Sequence, residues 1–219
     1  MKKLLFLLLI VFILILSVFK VNANDLTFPL IGKMIVIDPG HGGIDQGASY
    51  NDIKEAELNL LISLQLKNEL EKLGAVVIMT RDDNYDLSKP NALYRKKSDF
   101  DNRIKLINNS GADLYLSIHL DKYTNAAYYG PQVFYTTNFS DNEKLAFVLQ
   151  KTLNAHLKTK RKTKINSSAN YMYPKLNVKG VLIECGFLSN NNERNKLLTE
   201  EYQKELAGII AAGINQYYS

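Results

Sequence analysis

Cysteine is almost absent from this chain. One, Cys185, stands among 219 residues, which excludes an intramolecular disulfide framework. It lies in an apolar run and reads as a buried, inert thiol rather than a nucleophile. Tryptophan is missing, while there are 13 Tyr, a ring that suits polar grooves where one end stays wet. Histidine is scarce, with three in the chain, so an imidazole-based site has only His41, His119 and His156 to draw on. Internal repeats, low-complexity segments and a second domain boundary are also lacking. The length suits one sizeable domain, and nearly half the residues are apolar, as a folded core requires. Neither G-x-G-x-x-G nor the Walker pattern G-x-x-x-x-G-K-[ST] occurs, which removes the usual phosphate cradles.

What the chain does have begins with a leader. A basic Met1-Lys2-Lys3 start precedes the apolar run Leu4 to Phe19, and Val21-Asn22-Ala23 has the form of a small-residue cleavage site. Residues 1–23 therefore read as a signal peptide or an N-terminal membrane anchor. Residues 24–32 read as a short linker and 33–219 as the single folded domain. The expectation is export across the cytoplasmic membrane, as a secreted or membrane-anchored protein. Of the net charge of +5, Lys2, Lys3 and Lys20 supply three, leaving +2 for the exported part. That part has no nucleic-acid motif, and no nucleic acid is expected as a partner. A basic cluster from Lys158 to Lys164 reads as a solvated helix end or loop; its functional alternative is contact with anionic wall polymer or membrane surface.

Past Lys33, apolar runs alternate with helical periodicity. Strands are expected at Met34–Ile37, Ala75–Thr80, Asp113–His119, Gln132–Thr136 and Gly180–Glu184. Helices are expected over Glu55–Leu73, Ala92–Asn108, Asp141–Leu157, Asn191–Leu198 and Glu201–Tyr217. This predicts an α/β single domain, a mostly parallel twisted β-sheet with helices on both faces. Ligands of such sheets bind beyond the carboxyl ends of the strands. His41, in the loop "VIDPGHGGIDQG" after the first strand, has that address, as do His119 and Glu184. His156, on a helix beside the basic run, reads as a surface residue.

Two histidines converging at strand ends leave a hydrolytic zinc site one ligand short. Glu55 or Glu57, at the start of the following helix, can complete it, although acids there also simply complement the helix dipole. Glu184 interrupts the apolar run Val181 to Leu188. A carboxylate there is costly unless paired, metal-bound or tuned by burial, and it is the best candidate for a base. The glycines around His41 read as turns that swing it towards a shared centre. Asp38 and Asp45 either support His41 or shape its turn.

Four blocks carry a resemblance. "VIDPGHGGIDQGA", "KEAELNLLISLQL", "ADLYLSIHLD" and "VLIECGFLSN", in that order, resemble the type-3 family of zinc-dependent N-acetylmuramoyl-L-alanine amidases. The resemblance implies Zn²⁺ held by His41, Glu55 and His119, with Glu184 as the catalytic glutamate. It prefers Glu55 to Glu57, because Glu55-Ala56-Glu57-Leu58-Asn59-Leu60 aligns with the family's E-K-D-x-x-L. "VVIMTRDDNYDL", "RKKSDFDNRIKLINNS" and the short "GPQVFYT" are similar to the germination-specific, sporulation-linked CwlD-type subgroup. That implies cleavage between the muramic lactyl group and L-alanine on the cell wall or spore cortex side, preceding muramic-δ-lactam formation. The short segment after His119 implies no room for the inhibitory helix of some cell-division relatives. Peptidoglycan stem peptides are the implied substrate, and an activating protein partner is a further expectation. The rival readings are another zinc peptidase or deacetylase, or an inactive wall-binding module. Leu120-Asp121, Ala56 and Lys179 depart from the family pattern; Asp121's own role stays open, and none of the departures removes a ligand.

Overall fold

The computed structural model describes residues 28–166 and 171–219; the expected leader 1–23 lies outside them. Among the described residues eight strands occur: β1 Met34–Pro39, β2 Ser49–Tyr50, β3 Ile53–Lys54, β4 Val76–Met79, β5 Leu114–Asp121, β6 Gln132–Tyr135, β7 Lys164–Ile165 and β8 Gly180–Phe187. Five helices join them: α1 Glu55–Lys72, α2 Arg95–Asn109, α3 Ser140–Leu157, α4 Asn191–Leu197 and α5 Glu200–Tyr218. Six strands form one sheet in the order β4-β1-β5-β8-β6-β7, and β2 and β3 make a separate small hairpin. β4, β1, β5 and β8 are parallel to their neighbours, β6 runs antiparallel to β8, and β7 is parallel to β6. The mostly parallel α/β sheet expected from the sequence is therefore present. The reversed β6, the two-residue β7 and the β2–β3 hairpin were not predicted. The last strand also runs on to Phe187, so Glu184 sits within it rather than at its end.

Side-chain alternation along the strands sorts two faces. Ile35, Ile37, Leu114, Leu116, Ile118, Leu120, Val181, Ile183 and Cys185 join the larger core, under α1, α3 and α5. α1 presents Leu58, Ile62, Leu66 and Leu70 to it, all buried, a helical stripe facing a parallel sheet. Each such side chain contributes roughly 1.5–3 kcal/mol on burial. Val36, Tyr115 and Leu182 point to the other face, where Ile107 of α2 and the turn at Tyr173 cover them. Asp38, Ser117, His119 and Glu184 share that second face by the same alternation. The polar groups thus gather where the thinner cover ends, towards the carboxyl ends of β1, β5 and β8 and still within those strands. α4 and α5 are capped by Asn190 and Thr199, whose side chains accept from Glu193 N–H and Tyr202 N–H, as N-caps of this type do.

Candidate functional site

The loop after β1 is folded tightly around itself. Gly42 N–H donates to Asp45 O at 2.8 Å and Asp45 N–H to Gly42 O at 3.0 Å. His41 has φ +62°, the left-handed region that non-glycine residues avoid. Its neighbours explain the glycines. A Cβ on Gly40 would lie 2.2 Å from the His119 ring, and one on Gly47 2.5 Å from Glu55 Oε2 and 2.6 Å from His41 Cδ2. These two positions are bare because other site residues occupy the space, not because a phosphate approaches.

Two buried arginines hold this loop in place. Arg81 Nε donates to Pro39 O, and its Nη2 donates to Gly40 O at 2.9 Å and Ala56 O at 2.8 Å. Arg103 Nη1 donates to Pro39 O at 2.9 Å and Nη2 to His41 O at 2.6 Å. Arg103 also pairs with Asp38 at 2.6 Å and Asp99 at 3.0 Å. Burial opposes the charge on Asp38, but the Arg103 guanidinium and the Thr80 hydrogen bond hold its carboxyl below the usual range. Arg81 has carbonyls rather than a carboxylate around it. Burial and then the nearby Arg103 charge bring it down to about 10. Asp38 therefore acts on His41 only through the loop, whereas Asp45 Oδ2 meets His41 Nδ1 directly at 3.0 Å.

His41, Glu55 and His119 converge. His41 Nε2 lies 3.3 Å and His119 Nδ1 2.9 Å from Glu55 Oε1. The two imidazoles meet edge to face with centroids 5.1 Å apart. One donor atom from each of the three residues falls within 4.8 Å of the others. Two donors on a shared tetrahedral zinc, each about 2.0–2.2 Å from it, stand roughly 3.3 Å apart, so two imidazoles and a carboxylate at these spacings fit that ion. Three ligands also leave a position open for chemistry. Glu55 is further fixed by Ala48 N–H, which donates to Oε2 at 2.7 Å. Asn59 Nδ2 and Leu120 N–H both donate to Oε1 at 3.2 Å. Burial alone would raise its pKa; hydrogen bonds from His119 and His41 outweigh that and hold it well below the carboxylate range. For His41, burial disfavours the charge, but the Asp45 hydrogen bond, then Glu55, raise it from 6.5 to about 9. Glu57 is exposed and pairs with Lys54 at 3.1 Å, so the helix delivers Glu55 and not Glu57 to the centre.

Glu184 stands directly across from His119 in the β5–β8 register. It is half-buried, and its Oε2 is buried without a hydrogen-bond partner among the described residues. Burial, then the charges of Glu55 and Asp121, push its pKa well above the ordinary value. It faces a cleft of about 370 Å³ that His41, His119, Arg103, Phe100 and Tyr173 also line. Tyr173 Oη lies 3.0 Å from Ser117 Oγ and 3.4 Å from His119 Nε2. Burial, then Asp38, keep its hydroxyl protonated. His156 is exposed on α3, away from the centre, with Nδ1 2.9 Å from Thr152 O. Cys185 is fully buried in the opposite core, where burial raises its thiol pKa. Arg81, Arg103 and Tyr173 are site residues that sequence reasoning missed; the signal for Arg103 lay inside the "RKKSDFDNRIKLINNS" helix, where it looked like any surface cation.

Residues 35–216 match the family described as N-acetylmuramoyl-L-alanine amidase. The germination-specific N-acetylmuramoyl-L-alanine amidase of Bacillus subtilis strain 168 is 37% identical over 227 residues, covering 100% of this chain and 95% of that one. The CwlD amidase of Clostridioides difficile, solved in complex with the GerS lipoprotein, superposes with a TM-score of 0.80. It is 37% identical, over 85% of this chain and 98% of that one. The catalytic domain of CwlV, an N-acetylmuramoyl-L-alanine amidase of Bacillus (Paenibacillus) polymyxa var. colistinus, gives 0.72. Its identity is 27%, over 84% and 97% of the two chains. A family match over residues 35–216, on an α/β sheet that brings His41, Glu55, His119 and Glu184 together, means that the chain belongs to the N-acetylmuramoyl-L-alanine amidase family.

Proposed function

We propose that this chain is a zinc-dependent peptidoglycan hydrolase that cuts the amide between the lactyl group of N-acetylmuramic acid and the L-alanine of the stem peptide. The observation that carries this is the convergence of His41, Glu55 and His119 on one centre, with Glu184 across from His119. His41, Glu55 and His119 hold the ion. When bound, zinc supplies Lewis acidity, polarising an amide carbonyl and making water acidic enough to lose a proton near neutral pH. Asp45 fixes His41 at Nδ1 and so turns Nε2 to the centre. Glu184 takes the proton of the attacking water and returns it to the departing alanine nitrogen. Among the described residues its Oε2 has no hydrogen-bond partner, which leaves that atom free for both transfers. Tyr173 and Ser117 line the same face and orient His119.

The likeness to a germination-specific relative supports a role in spore cortex maturation, upstream of muramic-δ-lactam formation, and in germination. Likeness to a chain solved with a lipoprotein supports a protein partner in zinc loading or activity. Residues 1–23 act as a signal peptide or membrane anchor, placing the catalytic domain on the cell wall side.

The test is product analysis on peptidoglycan digested by the purified protein, with and without zinc. The reading expects a free L-alanine amine, an intact lactyl carboxylate, and loss of both with a chelator. New termini inside the stem peptide would instead make this a peptidase, and released acetate a deacetylase. No product together with failure to bind zinc would leave only a wall-binding module.

A further inference from the structure

No Asp or Glu occurs between Glu143 and Glu184, a stretch that carries nine Lys and Arg residues. Part of it forms the outer edge of the sheet. The backbone there is tied down: Thr159 N–H donates to Asn154 O, Asn154 Nδ2 to Arg161 O at 2.8 Å, and Gln132 Nε2 to Lys162 O at 2.7 Å. Lys164 then pairs with Phe134 in the β6–β7 register. Lys158, Lys160, Lys162 and Lys164 are all exposed, and among the described residues none of them has an ion-pair partner. Side chains two apart on extended chain stand roughly 7 Å from each other, so the lysines form a ridge rather than a point.

Arg161 is turned the other way. Its guanidinium lies 5.4 Å from the Tyr128 ring centre and 4.7 Å from that of Phe187. Its Nε is buried without a hydrogen-bond acceptor among the described residues. A shallow pocket of about 280 Å³ opens beside it, lined by Tyr128, Tyr129, Thr159 and Lys160. A buried donor without an acceptor is costly; the Glu193 carboxylate balances part of the Arg161 charge, and Lys160 at the mouth of the tyrosine-walled pocket supplies the cation for a carboxylate attached to a carbon framework.

The ridge adjoins the centre described above. His119 pairs with Glu184, and Glu184 with Gln132, in adjacent strands; Gln132 in turn holds Lys162. The row from metal ligand to base to basic edge therefore crosses one sheet at one level, with strands about 4.8 Å apart. The described chain enters at the opposite end of the sheet, where Leu30 N–H donates to Leu73 O. The ridge thus lies at the sheet edge away from the chain's entry, and Lys164 shares the face of Glu184 through its register partner Phe134, two residues from Gln132 on β6.

We propose that the Lys158–Lys164 edge with its Tyr128–Tyr129 pocket is a second contact for polymeric substrate, taking carboxylates of stem peptides neighbouring the one being cut. This rests on the peptidoglycan reading. The ridge acts only on a substrate long enough to reach it. Because its charges are exposed, the contact is screened by salt beyond about 8 Å at physiological ionic strength.

The experiment compares the full protein with the triple variant Lys160→Gln/Lys162→Gln/Lys164→Gln on two substrates: intact peptidoglycan and a single soluble muramoyl-peptide unit. The expected result is a rise in KM of about tenfold or more on the polymer, a flatter salt dependence, and turnover of the small unit within about twofold. Equal losses on both substrates, or no change on the polymer, overturn the proposal. So does a variant that keeps polymer binding but loses binding to phosphatidylglycerol vesicles, which would make the ridge a membrane contact. Wild-type protein inactive even on the small unit would instead overturn the peptidoglycan reading itself.

Discussion

At the scale of single residues, Glu184 is the most exposed to test. Its Oε2 has no hydrogen-bond partner among the described residues, and burial with two nearby carboxylates raises its pKa. A group kept this way for packing would have acquired a partner, because an unsatisfied buried polar atom costs stability. Glu184→Gln keeps the shape and removes the proton-transfer chemistry. The expected outcome is a loss of at least about a hundredfold in turnover, measured on soluble muropeptide, with zinc content and melting temperature unchanged or the latter raised. Turnover near wild type would move the proton-transfer role to another group. His41, His119 and Glu184 were legible in the sequence because each interrupts or ends an apolar run at a strand's carboxyl edge. Glu55 was not separable from Glu57 by spacing alone. The two are two residues apart, about 200° around the helix, which turns one into the centre and the other towards Lys54 in solvent.

Among elements, α2 has an unexpected task. From sequence it is a basic amphipathic helix, and its Arg103 looks like its neighbours Arg95, Lys96 and Lys97. In the fold Arg103 is 2% exposed and joins Asp38 on β1, Asp99 on its own helix and the carbonyls of Pro39 and His41. A buried cation and a surface cation are the same letter, so nothing short of tertiary packing separates them. β6 was expected as a strand, but its place and reversed direction in the sheet were hidden for a related reason. Its position next to β8 depends on a strand some fifty residues later entering the sheet between β5 and β6, and no local pattern records that. The ion pair makes a stability prediction. Arg103→Met leaves Asp38 buried without its cation and should cost about 3–5 kcal/mol in urea unfolding. Asp38→Asn should cost a similar amount, and the double variant less than the two together, since both act on one contact. Strict additivity would mean that Arg103 works through the loop carbonyls alone.

For the whole molecule, the candidate centre ties together three distant parts of the chain: the loop after β1, the first turn of α1 and the end of β5. Filling it with zinc must therefore stabilise the fold, by RT ln(1 + [Zn]/Kd), about 2.7 kcal/mol at a hundredfold excess over Kd. The sign with pH follows from His41. In the metal-free protein its pKa is raised from 6.5 to about 9 by Asp45 and Glu55, against burial. The protonated ring therefore adds stability that is complete below pH 6.5 and lost as pH climbs through about 9. The loss is at most about 3 kcal/mol on the scale of 1.36 kcal/mol per pH unit. Glu55 and Asp45 have lowered values; their contribution is present above the ordinary carboxylate range and lost only in acid. Zinc requires the neutral imidazole, so its binding displaces that proton and strengthens as pH rises. The two curves must then separate: chelated protein melts at falling temperature from pH 6.5 to 9, zinc-loaded protein does not, and the gap widens by up to about 1.4 kcal/mol per pH unit for one displaced proton. His41→Ala should abolish both the zinc stabilisation and the alkaline slope of the chelated form. Melts of wild type and variant, each with zinc and with chelator, at three pH values between 6.5 and 9, measure it. A gap that stays constant with pH would show that His41 is neutral before metal enters, and that Asp45 positions the ring without holding it charged.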